Sequence, residues 1–169
     1  MALIVTPGAV DANSYVSVVE ATDYFNLSHN RTAWSDAGNS EKERSLAEST
    51  RLLDTFVSWY GSIATDTQAL RWPRSSVVDP DGRIVSDTII PKAIKDITCE
   101  LAYSILKNSG FDISENTVDK LRVGPINIDF DIMQKSNGFP KVVRDAVAFW
   151  GVLNLPVSGA MQTAKLIRT

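Results

Sequence analysis

The chain has 169 residues, 44% hydrophobic and 22% charged, with a formal net charge of −3. That length and balance suit one domain with a hydrophobic core and exclude wholesale disorder. The acidic sign argues against strong non-specific nucleic-acid binding, which usually needs a dense basic surface.

The charge is uneven: residues 1–70 carry nine acids and four bases, net −5, while 71–107 and 108–169 are each +1. An acidic face over the first half is expected. The single cysteine, Cys99, excludes an internal disulfide and a cysteine-based zinc site, and its apolar helical surroundings mark it as a buried thiol. The opening MALIVTPGAV lacks a basic segment, and its apolar run is too short for a signal peptide. No stretch approaches membrane-spanning length, so the cytosol is the default.

Residues 1–16 read as irregular, with turn signals at Pro7-Gly8 and Asn13-Ser14. Ser17 and Glu20 form a capping box that opens a helix over about 18–28, with Val18, Ala21 and Phe25 on one face. Residues 35–40 read as a loop. Ser40 and Glu43 form a second capping box, opening a helix over about 41–59 whose stripe is Leu46, Leu53, Phe56, Val57 and Tyr60. Asp79-Pro80-Asp81-Gly82 places its residues as a type I turn favours, and flanking Val77, Val78, Ile84 and Val85 predict a short hairpin. Pro91 suits the first turn of a helix over about 91–107, striped by Ile94, Ile97, Leu101 and Ile105 and stopped at Asn108-Ser109-Gly110.

From Val123 the period changes to two. Ile126, Ile128 and Phe130 alternate with Asn127, Asp129 and Asp131, the pattern of a half-buried strand. Pro125 cannot donate to a ladder, so this strand is expected to lie at a sheet edge or to begin there. Pro140 opens a last helix to about Leu153, with Val143, Ala146, Val147 and Trp150 inward. Residues 154–169 hold no acid and two bases, Lys165 and Arg168. The expected fold is mainly α: four helices with a small β-hairpin and edge-strand element. Residues 1–153 form one domain, and 154–169 an extended tail.

Little chemistry is visible. His29 is the only histidine and has polar neighbours with no sequence-local partner, so it reads as structural or solvated. The Asp79-x-Asp81-Gly82 run has Arg83 at the fifth position and Ile90 at the twelfth, where a calcium loop needs oxygen ligands. No glycine-rich phosphate loop, nucleophile elbow or zinc-protease helix motif occurs. The expectation is a protein that is not an enzyme and uses no cofactor or metal.

The stretch that raises a question is Arg71-Trp72-Pro73-Arg74, an aromatic ring between two guanidiniums. Three readings compete. Trp72 is a platform on which bases stack beside Arg71, Arg74 and Arg83. It docks another protein. Or, held extended by Pro73, it plugs the core while the arginines pair with carboxylates.

Several stretches in order, NSYVSVVEATDYF (13–25), AESTRLLDTF (47–56), QALRWPRSSVVDPDGRIV (68–85), IPKAIKDITCELA (90–102) and VGPINIDF (123–130), resemble small phage proteins labelled DnaT-like single-stranded DNA-binding proteins. That family in turn resembles the head–tail connectors, adaptors or head-completion proteins of tailed phages. The connector resemblance implies a structural virion protein in the neck, assembled in the host cytoplasm. It would be a homo-oligomeric ring between the portal and a tail or tail-terminator (stopper) protein, with genomic double-stranded DNA passing unbound and no membrane contact. An acidic chain suits such a conduit better than a clamp. The DnaT-like label implies the alternative, a single-stranded DNA-binding replication accessory protein. The interface candidates are Arg71, Trp72, Arg74, Arg83, Ile126, Ile128 and Phe130, with Lys165 and Arg168 in a tail expected to dock on the portal.

Overall fold

A computed structural model of the chain describes residues 2–29, 31–111, 120–123, 126–129 and 139–155. Helix α1 (Val18–Asn26) starts as its sequence dictates: the Ser17 hydroxyl accepts from the Glu20 amide, and the Glu20 carboxylate accepts from the Ser17 amide. Ala21 and Phe25 are the face it buries. The next segment departs from expectation, because Thr32–Asp36 forms a short helix, α2, that buries Trp34. Helix α3 (Asn39–Phe56) then begins two residues earlier than the Ser40 box implies. Gly38 occupies its cap, and the Glu41 carboxylate accepts the Gly38 amide at 2.9 Å.

The far end of α3 is the larger correction. The helix stops at Phe56, and Val57–Trp59 is a strand, β1. Its partner is β6 (Gly151–Leu153), antiparallel, with Val57 opposite Leu153 and Trp59 opposite Gly151. The last helix, α5 (Lys141–Val147), is correspondingly shorter than its pattern suggested, and Trp150 is buried beyond its end. Two further pairs complete the β content: β2 (Ser62–Ile63) with β3 (Arg74–Ser75), and β4 (Lys120–Val123) with β5 (Ile126–Asp129). The mainly α, four-helix expectation is therefore corrected. Among the described residues, five helices and three two-stranded antiparallel sheets make a mixed α/β fold.

Helix α4 (Lys92–Asn108) runs nearly as its sequence predicts and packs chiefly against α3. Ile94, Ile97 and Leu101 are buried, and Leu46 and Leu53 of α3 belong to the same core. Its stop uses Ser109, not glycine, in the left-handed conformation, while the Gly110 amide reaches back to the Ile105 carbonyl. The predicted hairpin around Asp79–Gly82 is present, with Val78 bridging Ile84 and the Val85 amide donating to Val77. Cys99 is buried, and burial pushes its thiol to about 12, with Asp96 and Glu100 adding to the rise. The irregular N-terminal segment is tied down: Tyr15 and Val16 are buried in the core.

Of the strand read from Val123, residues Ile126 and Ile128 lie in β5, opposite Val123 and Leu121. Phe130 lies outside the described residues, as do Lys165, Arg168 and the tail beyond Leu155.

Candidate functional site

The Arg71–Arg74 stretch sits where β1, β3 and the end of β6 converge, and the chain treats its residues oppositely. Trp72 is 1% exposed. It lies between Trp59 and Trp150, edge-to-face with each, at 5.9 Å centroid separations. The bond to Pro73 is cis, a feature the sequence reading did not foresee. A ring enclosed on both sides by protein cannot stack on a base, so the core-anchor reading of Trp72 holds.

Arg74 also points inward. Its residue is 7% exposed, and its guanidinium donates to the carbonyls of Tyr60 (2.6 Å), Gly61 (2.6 Å), Arg71 (3.1 Å) and Trp59 (3.4 Å). Burial, with Arg71 nearby, lowers its pKa from the ordinary arginine value. Arg74 was expected to meet carboxylates; it ties the turn after β1 to the 71–74 loop through backbone oxygens instead. Gly61 makes this approach possible: its φ is +72°, and a Cβ there would stand 2.3 Å from the Ser75 carbonyl oxygen.

Arg83 pairs with Asp79 and Asp81 of its own turn. The Asp79 carboxyl is held below its usual range, chiefly by the Arg83 amide and then by its guanidinium. Arg71 is exposed, as Arg83 is, but its guanidinium has no hydrogen-bond partner among the described residues. Its backbone amide donates to Asp54 Oδ2 at 3.0 Å.

Asp54, on α3, was missed by the sequence reading and organises the region. Its Oδ1 accepts from the Tyr15 hydroxyl and from Trp59 Nε1 at 3.2 Å. Burial raises the Asp54 carboxyl, and the three donors offset that only in part. Tyr15 is pushed well above the ordinary tyrosine range by burial and by the Asp54 charge. The N-terminal segment, α3, β1 and the 71–74 loop therefore meet at one carboxylate.

Beside this junction runs an open groove of about 850 Å³. Arg44, Arg51 and Thr55 of α3 line one side; Asn13, Leu70 and Arg71 line the other. The loop wall is fixed, because the Ala69 amide donates to the Ala9 carbonyl and the Arg71 amide to Asp54. Arg44 and Arg51 are seven residues apart, so they stand on one face about 10.5 Å apart along the axis. Two exposed aromatics, Tyr60 (49%) and Phe149 (62%), flank the adjoining turn, where the Tyr60 amide donates to the Trp150 carbonyl. Among the described residues, no group of three His, Cys, Asp or Glu side chains is placed to hold a metal ion, and no helix is long and apolar enough to cross a membrane.

The site is thus a preformed groove holding three arginines, and the fold also exposes aromatic rings at the turn after β1, two features found in proteins that bind polyanions. A family model described as "Putative DnaT-like ssDNA binding protein" matches residues 1–169, and the chain belongs to that family. Neither the curated proteins nor the solved structures include a match.

This finding overturns the connector reading. The ring beneath a portal, the tail partners, the place in a virion neck and the unbound passage of double-stranded DNA were all drawn from the second, remoter likeness, and the family match supports the alternative. The error was physical. Net charge was used to reject nucleic acid, yet a net charge of −3 does not fix the potential inside one groove. The groove gathers three of the arginines of a chain that is acidic overall.

Proposed function

We propose that this protein binds single-stranded DNA, as a non-enzymatic accessory to DNA replication. The observation that carries the proposal is membership, over the whole sequence, of a family described by that binding. The site's geometry is compatible with it in the two respects that matter. Single-strand binders combine a cationic groove along the backbone with aromatic rings for the bases. Here Arg44, Arg51 and Arg71 share a groove, and Tyr60 and Phe149 are exposed beside the neighbouring turn. Trp72, which the sequence offered as a platform only as one of three readings, takes no part because it is enclosed.

The test is a titration of labelled oligothymidine, about 30 nucleotides long so as to exceed common site sizes, followed by fluorescence anisotropy at low salt. Saturable binding in the micromolar range or tighter is expected. A flat anisotropy across that range would remove the proposal.

A further inference from the structure

We infer that the groove between α3 and residues 69–71 is the track for the phosphates of the single strand, with Arg44, Arg51 and Arg71 as its contacts and Glu48 as a competitor for one of them. The inference rests on the single-strand reading above and adds to it the path of the strand and the residues that hold it.

Five charged side chains line the groove: Arg44, Arg51, Arg71, Glu48 and Asp54. The two carboxylates are not equivalent. Both oxygens of Asp54 are already occupied by the Tyr15 hydroxyl, the Trp59 indole and the Arg71 amide. Its charge is turned into the fold. Glu48 lies on the groove side, and its Oε1 accepts from Arg51 Nη2 at 2.8 Å across one helical turn. Arg51 is 64% exposed even so, and a pair this open contributes little and exchanges readily.

Arg44 and Arg71 are the cations a phosphate meets first. The Arg44 Nε donates to the Ser40 carbonyl at 3.1 Å, and the rest of its guanidinium has no hydrogen-bond partner among the described residues. Guanidinium forks match phosphate oxygens two by two, so a strand entering the groove gains two charge-assisted contacts before it disturbs the Glu48–Arg51 pair. The third contact is made in competition with Glu48. Removing the Glu48 charge should therefore tighten binding, a result that no purely structural role for this residue gives.

The measurement is the salt dependence of oligothymidine affinity for wild type and four variants. Three phosphate contacts on a single strand give a slope of log K against log salt near −2, a loss of roughly 20-fold between 50 and 200 mM. Arg44→Ala and Arg71→Ala should each weaken binding at low salt and flatten the slope by about 0.7. Glu48→Gln should bind more tightly than wild type. Lys92→Ala removes one exposed charge from the start of α4, outside the groove, where the lysine pairs with Asp96; it should leave the slope unchanged. Because these side chains are exposed, melting curves should show all four variants folded.

Equal losses from Lys92→Ala and Arg71→Ala would mean diffuse attraction and overturn the inference, as would Glu48→Gln binding no tighter than wild type. Binding by wild type that ignores all the groove variants would overturn the track while leaving the single-strand reading intact. Failure of wild type itself to bind would remove both.

Discussion

At the scale of single residues, two neighbours of like chemistry are put to different use. Arg71 faces solvent while Arg74 is spent on four backbone carbonyls, and Trp72 between them is closed in by two other tryptophans. Truncating Trp72 to alanine should cost about 3–5 kcal/mol, the range for emptying a large aromatic site, read as a shift in urea midpoint. Single-strand affinity per folded molecule should stay near wild type, because the ring touches no ligand. Asp54→Asn should cost about 2 kcal/mol, since all three donors lose the charge of their acceptor and the amide NH2 takes the place of one oxygen where donors already converge. Chemical denaturation at neutral pH is the measurement that checks both. That Trp72 belongs to the core could be weighed from sequence but not decided. What decides it are Trp59 and Trp150, one of them 78 residues away, and no local spacing announces that they arrive on either side. Arg74 was expected to meet carboxylates for the same reason: its acceptors are carbonyls, which carry no signature in the side-chain sequence.

At the scale of elements, local rules succeeded where local physics is sufficient. The Ser17 box, the stripe of α4 and the turn at Asp79–Gly82 are set by residues within a few positions of one another. They failed at the end of α3, where Val57 and Tyr60 continue the helical spacing although the chain has already become a strand. The competing force is pairing with β6, some ninety residues on, and Gly151 admits it: a Cβ there would stand 2.7 Å from the Ser58 carbonyl oxygen. Gly61, at the adjoining turn, gives the clearest test at this scale. Gly61→Ala must hold a side chain at positive φ against the Ser75 carbonyl, and should cost about 2 kcal/mol or more. For a chain of this length that lowers Tm by roughly 4–8 °C, visible by calorimetry.

At the scale of the whole molecule, net charge proved a poor guide to the family and remains a fair guide to behaviour with pH. Cys99, Tyr15 and Tyr24 all have acid groups whose pKa burial raises, helped in each case by a nearby carboxylate. A raised pKa means that the unfolded chain gives up these protons first. Their contribution to stability is whole below the unfolded values, about 8.5 for cysteine and 10 for tyrosine, and drains away as pH rises past them. Tm should therefore hold up to about pH 8 and fall steadily from pH 9 to 12. Tyrosinate absorbance from the buried rings should appear together with loss of helical circular dichroism. Ionisation of these rings without unfolding would show that their burial is not tied to the fold.

The central claim is that this chain recognises a single strand. The most direct measurement is a competition: labelled oligothymidine bound to the wild-type protein, displaced by unlabelled single strand or by duplex of equal length, followed by anisotropy at one fixed salt concentration. The account predicts that the single strand displaces the probe at least about tenfold more effectively. Exposed rings can stack on splayed bases but not on paired ones. Equal displacement by duplex, or no probe bound at all, would contradict it.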